Sequence, residues 1–170
     1  MATVNIAYGT YTALTITNLN SLANSGTAGW QSERISNLST LALDYEILVR
    51  LNMANTAPAN DRAVYVFISP AVTSDGGTTW YHSDGGTTTL PSGTQGAYTI
   101  AGATTTNNLD LLRALSYTTA DQVVQGTARL SDLYDTMPDG FSIIIVNFSG
   151  AAVGASDNIV AVRPITQTVA

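Results

Sequence analysis

Few residues in this sequence are equipped for chemistry. His82 is the single histidine and cysteine is absent, which removes thiolate nucleophiles, disulfide frameworks and cysteine-ligated metal sites. A serine hydrolase arrangement would need His82 as its base, yet no Gly-x-Ser-x-Gly elbow presents a serine to it. Glycoside cleavage needs only two carboxylates, and the 12 acidic residues meet that inventory without singling out a pair. Asp44 and Glu46 share one strand face, read as its solvated side. Asp132, Asp135 and Asp139 fall in a turn segment, where aspartate caps and bends the chain. No phosphate-binding loop, dinucleotide fingerprint or metal-ligand spacing occurs. The expectation is a protein with no catalytic residues, no cofactor and no metal.

Recognition has more to work with. Ser74-Asp75-Gly76-Gly77-Thr78-Thr79 is repeated as Ser83-Asp84-Gly85-Gly86-Thr87-Thr88, with Trp80, Tyr81 and His82 between the copies. Asp-Gly and Gly-Gly permit positive φ, so each copy reads as a turn around a short strand. Flat aromatics on such a loop bury area at little entropic cost, which makes Trp80, Tyr81 and His82 a candidate contact tip for sugar or protein. Trp30, a large aromatic without periodic apolar partners, is a second candidate contact.

The chain has 170 residues and a net charge of -6, and only 11% of it is charged, against about 25% in an ordinary soluble domain. All six basic residues are Arg; Lys is absent. Depletion of Lys and Glu with retention of Arg and Tyr is typical of surface that becomes interface. Six scattered arginines make no stripe for a phosphate backbone, so no nucleic-acid partner is expected. Nor is a membrane partner: no stretch approaches the roughly 18 apolar residues of a span, and the opening residues lack the pattern of a secretory signal.

The elements that must position these residues are strands. Apolar residues occupy every odd position from Leu41 to Met53, the period-two pattern of a strand with one buried face, which commits those odd residues to the core. Arg62 to Ser69, ended by Pro70, and Phe141 to Phe148 are continuous β-branched and aromatic runs that read as central strands covered on both sides. Leu109–Tyr117, Gln122–Leu130, Asn158–Ile165, Thr3–Tyr8 and Tyr11–Thr17 are further strand candidates, while Asn18–Ser25 and Ala28–Leu38 read as short helices or irregular arm. Many strands without alternating helices predict an all-β fold, an antiparallel β-sandwich of jelly-roll type. Residues 1–38 read as an N-terminal arm or edge strands that grip a neighbour, and residues 39–170 as the sandwich domain. Sheet edges are commonly guarded by Lys, and this chain has none, so its own arm or a neighbouring subunit must cover them.

Ser131 to Ala152, Ser-Asp-Leu-Tyr-Asp-Thr-Met-Pro-Asp-Gly-Phe-Ser-Ile-Ile-Ile-Val-Asn-Phe-Ser-Gly-Ala-Ala, follows Thr-rich strands and precedes a closing Asn158-Ile159-Val160-Ala161-Val162-Arg163-Pro164 strand. With the irregular N-terminal segment, this organisation resembles the head decoration, or cement, proteins of tailed bacteriophages with a jelly-roll body. The resemblance implies a non-enzymatic virion protein, made in the host cytoplasm. It would bind the capsid surface as a homo-oligomer and tie together subunits of the major capsid protein. A carbohydrate-binding β-sandwich module or fibre tip, with Trp80 and Tyr81 as its platform, is the alternative expectation.

Overall fold

The computed structural model describes residues 4–82, 91–100 and 109–169; the second copy of the Gly/Asp repeat lies outside them. In chain order the strands are β1 (Val4–Tyr8), β2 (Thr12–Ala13), β3 (Ala28–Gln31), β4 (Ile35–Ser36), β5 (Asp44–Asn52), β6 (Ala63–Val72), β7 (Tyr81–His82), β8 (Gly96–Thr99), β9 (Asp110–Ser116), β10 (Val123–Arg129), β11 (Gly140–Phe148) and β12 (Ile159–Val169). A 3-10 turn, Leu130–Asp132, follows β10. The strands form two antiparallel sheets. Sheet A has the order β1-β12-β5-β10, with β2 also on β12. Sheet B has the order β7-β6-β11-β3-β8, with β9 on β6 and β4 on β11.

The sheets face each other through one core. Ile47, Val49 and Leu51 of β5 and Val160 and Val162 of β12 meet Val64, Val66 and Ile68 of β6 and Phe141, Ile143 and Ile145 of β11. The Tyr45 and Phe141 rings close it edge to face, with centroids 5.2 Å apart. The continuous apolar run of β11 has the two-sided burial it was read to need. Ile144 and Val146, on its other face, join a second cluster with Ile100 and Leu109, against which Tyr65, Phe67 and Tyr98 pack. β6 continues through Pro70 instead of stopping before it. Pro70 pairs with Phe141 on one side. On the other, β9 pairs only as far as Ile68 and β7 begins pairing at Ala71, so no neighbouring strand asks for the missing N–H.

Two expectations are corrected here. The alternation over Leu41–Met53 holds from Tyr45 onward, where odd residues are at most 3% exposed, but Leu41 and Leu43 are 74% and 51% exposed. The chain bends around Asn37, whose side chain accepts from Ala42 N (2.7 Å) and donates to Ala42 O (3.2 Å). Leu41 adopts φ +47°, and sheet pairing with β12 begins only at Asp44. Asp44 is not a solvated carboxylate either. It is buried, accepting from Ser131 Oγ (2.7 Å), Ser131 N (3.0 Å) and Tyr45 N (2.7 Å), and so ties β5 to the 3-10 turn.

Within residues 1–38, the described residues from Val4 onward are woven into both sheets. β1 and β2 extend sheet A beyond β12, and β3 lies inside sheet B between β11 and β8. Trp30, in β3, has no exposed surface and belongs to the core, so it is a packing residue of its own chain and not a contact for a partner. Gly29 beside it allows the close approach: a Cβ there would lie 2.6 Å from the Ile145 carbonyl oxygen. Residues 28–38 thus hold two strands where a helix or arm was expected, and residues 18–25 hold successive turns.

Candidate interaction surface

Antiparallel partners share a sheet face, so the register of sheet A decides which outward side chains meet. Arg163 of β12 lies opposite Glu46 of β5, which lies opposite Arg129 of β10. Tyr8 of β1 pairs with Ile165 two residues along β12, and Tyr11 follows on the bend into β2. These five side chains form one cluster. Arg163 Nη2 donates to Glu46 Oε1 at 2.8 Å, Arg129 Nε stands 3.7 Å from Oε2, and the Tyr11 hydroxyl donates to Oε1. Arg129 Nη2 also donates to Tyr8 Oη at 2.9 Å. The Arg163 guanidinium lies 4.9 Å from the Tyr8 ring centre and 4.7 Å from that of Tyr11, within cation–π range.

The electrostatics follow from this geometry. Two arginines flank the Glu46 carboxylate, and Asp44 and Asp132 add negative charge beside Arg129, so the arginines are balanced locally. The Glu46 pKa is held below the ordinary carboxylate value, first by the Tyr11 hydroxyl and then by Arg163, against the opposing effect of burial. A carboxylate so occupied is a poor general acid at neutral pH; its role here is to fix the two guanidinium groups.

The same linkage makes a prediction. A carboxyl group depressed in the folded state contributes stability that is fully present above its unfolded pKa, about 4.3, and is lost as pH falls through the folded value. The native protein is therefore expected to lose stability between about pH 5 and pH 3 more steeply than Glu46→Gln. Thermal melts across that range check it, and parallel slopes would show that the cluster is not coupled to folding.

Beside the cluster, β1 is exposed along its length, with Val4, Ile6 and Tyr8 at 54%, 57% and 50%. Val123 and Ile159 add exposed apolar surface at the far end of the same face. Among the described residues no group of three or more His, Asp and Glu side chains could hold a metal ion.

The residues proposed as a contact tip are separated by the fold. Tyr81 is exposed, but His82, on β7, is buried. Trp80 folds back on its own chain: its Nε1 donates to Gly77 O at 2.8 Å, and the Arg34 guanidinium lies 4.9 Å from its ring. The first Gly/Asp copy is a turn, with Gly76 and Gly77 at φ +71° and +97°. Asp75 organises it by accepting from Thr79 N, which pulls its carboxyl down to about 2. None of Tyr8, Tyr11, Glu46, Arg129 and Arg163 was singled out by sequence as part of a cluster. Only the period-two position of Glu46 marks it as outward, and the strand register that assembles the group has no local signal.

A concavity lies on the outer face of sheet B, a cleft of about 290 Å³ lined by Gly26, Tyr65, Phe67, Ile100, Val146 and Phe148. The Tyr65 hydroxyl at its side donates to Asp61 Oδ2 at 2.8 Å. No protein-family model matches this chain, and comparison with curated proteins finds no match.

Proposed function

We propose that this protein is a structural component of a phage virion. On this reading it decorates the outside of the capsid shell as a homo-oligomer and stabilises the shell by bridging neighbouring copies of the major capsid protein. The observation that carries the reading is the outer face of sheet A. An arginine–tyrosine cluster, built from two residue types enriched in interface hot spots, sits there and shares Tyr8 with an edge strand whose Val4 and Ile6 are also half-exposed. The low charge and the absence of Lys supply a second support. The strand order is a third. β1-β12-β5-β10 facing β3-β11-β6-β9 interleaves the two sheets as two Greek keys do, which supports a jelly-roll body.

The test is co-sedimentation of the purified protein with undecorated shells of the phage that encodes it. Saturable binding is expected, with a rise in shell melting temperature. Raising salt to about 1 M should weaken binding little, because screening acts on exposed charges and hardly on apolar burial. Absence of sedimentation with the shells would overturn the proposal.

A carbohydrate-binding module is the second reading, and the sheet B cleft favours it, since Tyr65, Phe67 and Phe148 offer aromatic surface with the Asp61 carboxylate nearby. Retention of a monomer on immobilised polysaccharide, lost in Phe67→Ala, would select it.

A further inference from the structure

We propose that two copies of this chain join through β1, edge to edge and antiparallel, across a two-fold axis at Ile6, so that sheet A runs from one copy into the other. This rests on the assembly reading above and names the surface through which self-association occurs.

β1 is a terminal strand: β12 takes one of its edges, and no described residue pairs with the other. A free strand edge is a row of unpaired N–H and C=O groups, and the group that satisfies all of them at once is another strand. The other sheet ends are guarded or short. At β10, Arg113 reaches across from β9 and donates to the Thr127 carbonyl. β9 itself carries Asp110 and Arg113, β8 has four residues and β7 two. β1 reads Val-Asn-Ile-Ala-Tyr, with no charge, proline or glycine, and with β-branched and aromatic residues at alternate positions.

The sequence of β1 also says what fits it. Full overlap of Val4–Tyr8 with itself in antiparallel register centres on Ile6 and sets Val4 opposite Tyr8 and Asn5 opposite Ala7. Opposed residues share a face, so Val4, Ile6 and Tyr8 of both copies form one continuous apolar row. A two-fold contact must be self-complementary, and here Tyr8 meets the smaller Val4, Asn5 meets Ala7 and Ile6 meets its own copy at the axis, while no charge of the strand meets its own copy. Five residues a side fall short of the ~1,200 Å² of total buried area typical of a stable complex, so the free dimer is a weak, concentration-dependent one. Copies held side by side on a shell gain the effective concentration that completes the pairing.

Because the chain has no cysteine, a single introduced thiol reports the geometry. Directly opposed Cα atoms lie about 4.5–5.5 Å apart, within disulfide range. Ile6→Cys is expected to give a disulfide-linked dimer on mild oxidation at high protein concentration. Tyr81→Cys, at a site of similar exposure on sheet B, is expected to give no disulfide-linked dimer under the same conditions. In sedimentation velocity, Ile6→Lys should weaken self-association about tenfold or more, since like charges then face each other on the edge. Its circular dichroism should match wild type, because Ile6 is more than half exposed.

The proposal is overturned if Ile6→Cys cross-links no better than Tyr81→Cys, or if self-association survives Ile6→Lys unchanged. It is also overturned if Ile6→Lys abolishes shell binding alone, which would make the capsid protein the strand's partner. Shell binding is scored separately. A chain that pairs through β1 but ignores shells keeps this inference and loses the decoration reading, and the reverse result loses this inference only.

Discussion

Deletion of residues 1–38 is expected to abolish folding, not to release a trimmed β-domain. The segment supplies β3, whose Gly29, Trp30 and Gln31 pair with Val146, Ile145 and Ile144 of β11 on one side, while β8 pairs on the other. Removing it exposes an edge in the middle of sheet B and empties the space of a fully buried tryptophan. Loss of a buried Trp side chain alone costs about 3–5 kcal/mol, against a total stability of about 5–15 kcal/mol for a domain. Leu19, also without exposed surface, leaves with it. Soluble yield and far-ultraviolet circular dichroism of the truncated chain decide the matter. A soluble protein with native strand content would restore a gripping role for the segment. Trp30→Ala in the full chain is the milder companion, and it should lower the urea midpoint by an amount matching those about 3–5 kcal/mol.

Ile47→Asp is expected to be the most damaging single substitution in sheet A. Ile47 is 1% exposed and faces the opposite sheet. The void beside it, bounded by Val49, Val66 and Leu115 among others, is about 10 Å³. That is at or below the ~10–15 Å³ a single water needs, so the new carboxylate would find no solvent, and Arg113, which also borders the void, is already committed to the Thr127 carbonyl. An unpaired carboxyl group in such a place costs several kcal/mol, a large share of the whole stability. Glu46→Gln, one position away on the outward face, should by contrast keep the fold at neutral pH. Urea titration of both variants tests the pair. Cooperative unfolding of Ile47→Asp within about 1 kcal/mol of wild type would show that the position is not sealed.

Much of the fold was legible because strand burial writes itself into local pattern. Period two from Tyr45 to Met53 and the unbroken run in β11 each report the number of covered faces, and both faces of β11 are covered. The pattern failed where side chains redirect the backbone. Leu41 and Leu43 keep the odd spacing, but the Asn37 bonds to Ala42 hold them outside the sheet. It failed again in residues 28–38, where a four-residue strand is too short to show a period and Trp30 finds its partners across the sheets. Local pattern likewise did not show that Trp80, Tyr81 and His82, neighbours in sequence, have three different degrees of burial.

By itself, the sequence determined an all-β chain with neutral polar surface, no thiol chemistry and turns at Asp75-Gly76-Gly77, since these follow from residue type and nearest neighbours. Only the tertiary structure decided that Glu46 stands between Arg129 and Arg163, that Tyr8 stacks beside them and that β1 is left at an open edge. The physical reason is sequence separation. Residues 8, 46, 129 and 163 meet through strand register, and register is set by the packing of the whole sandwich, because a slip of one residue would turn every side chain to the opposite face.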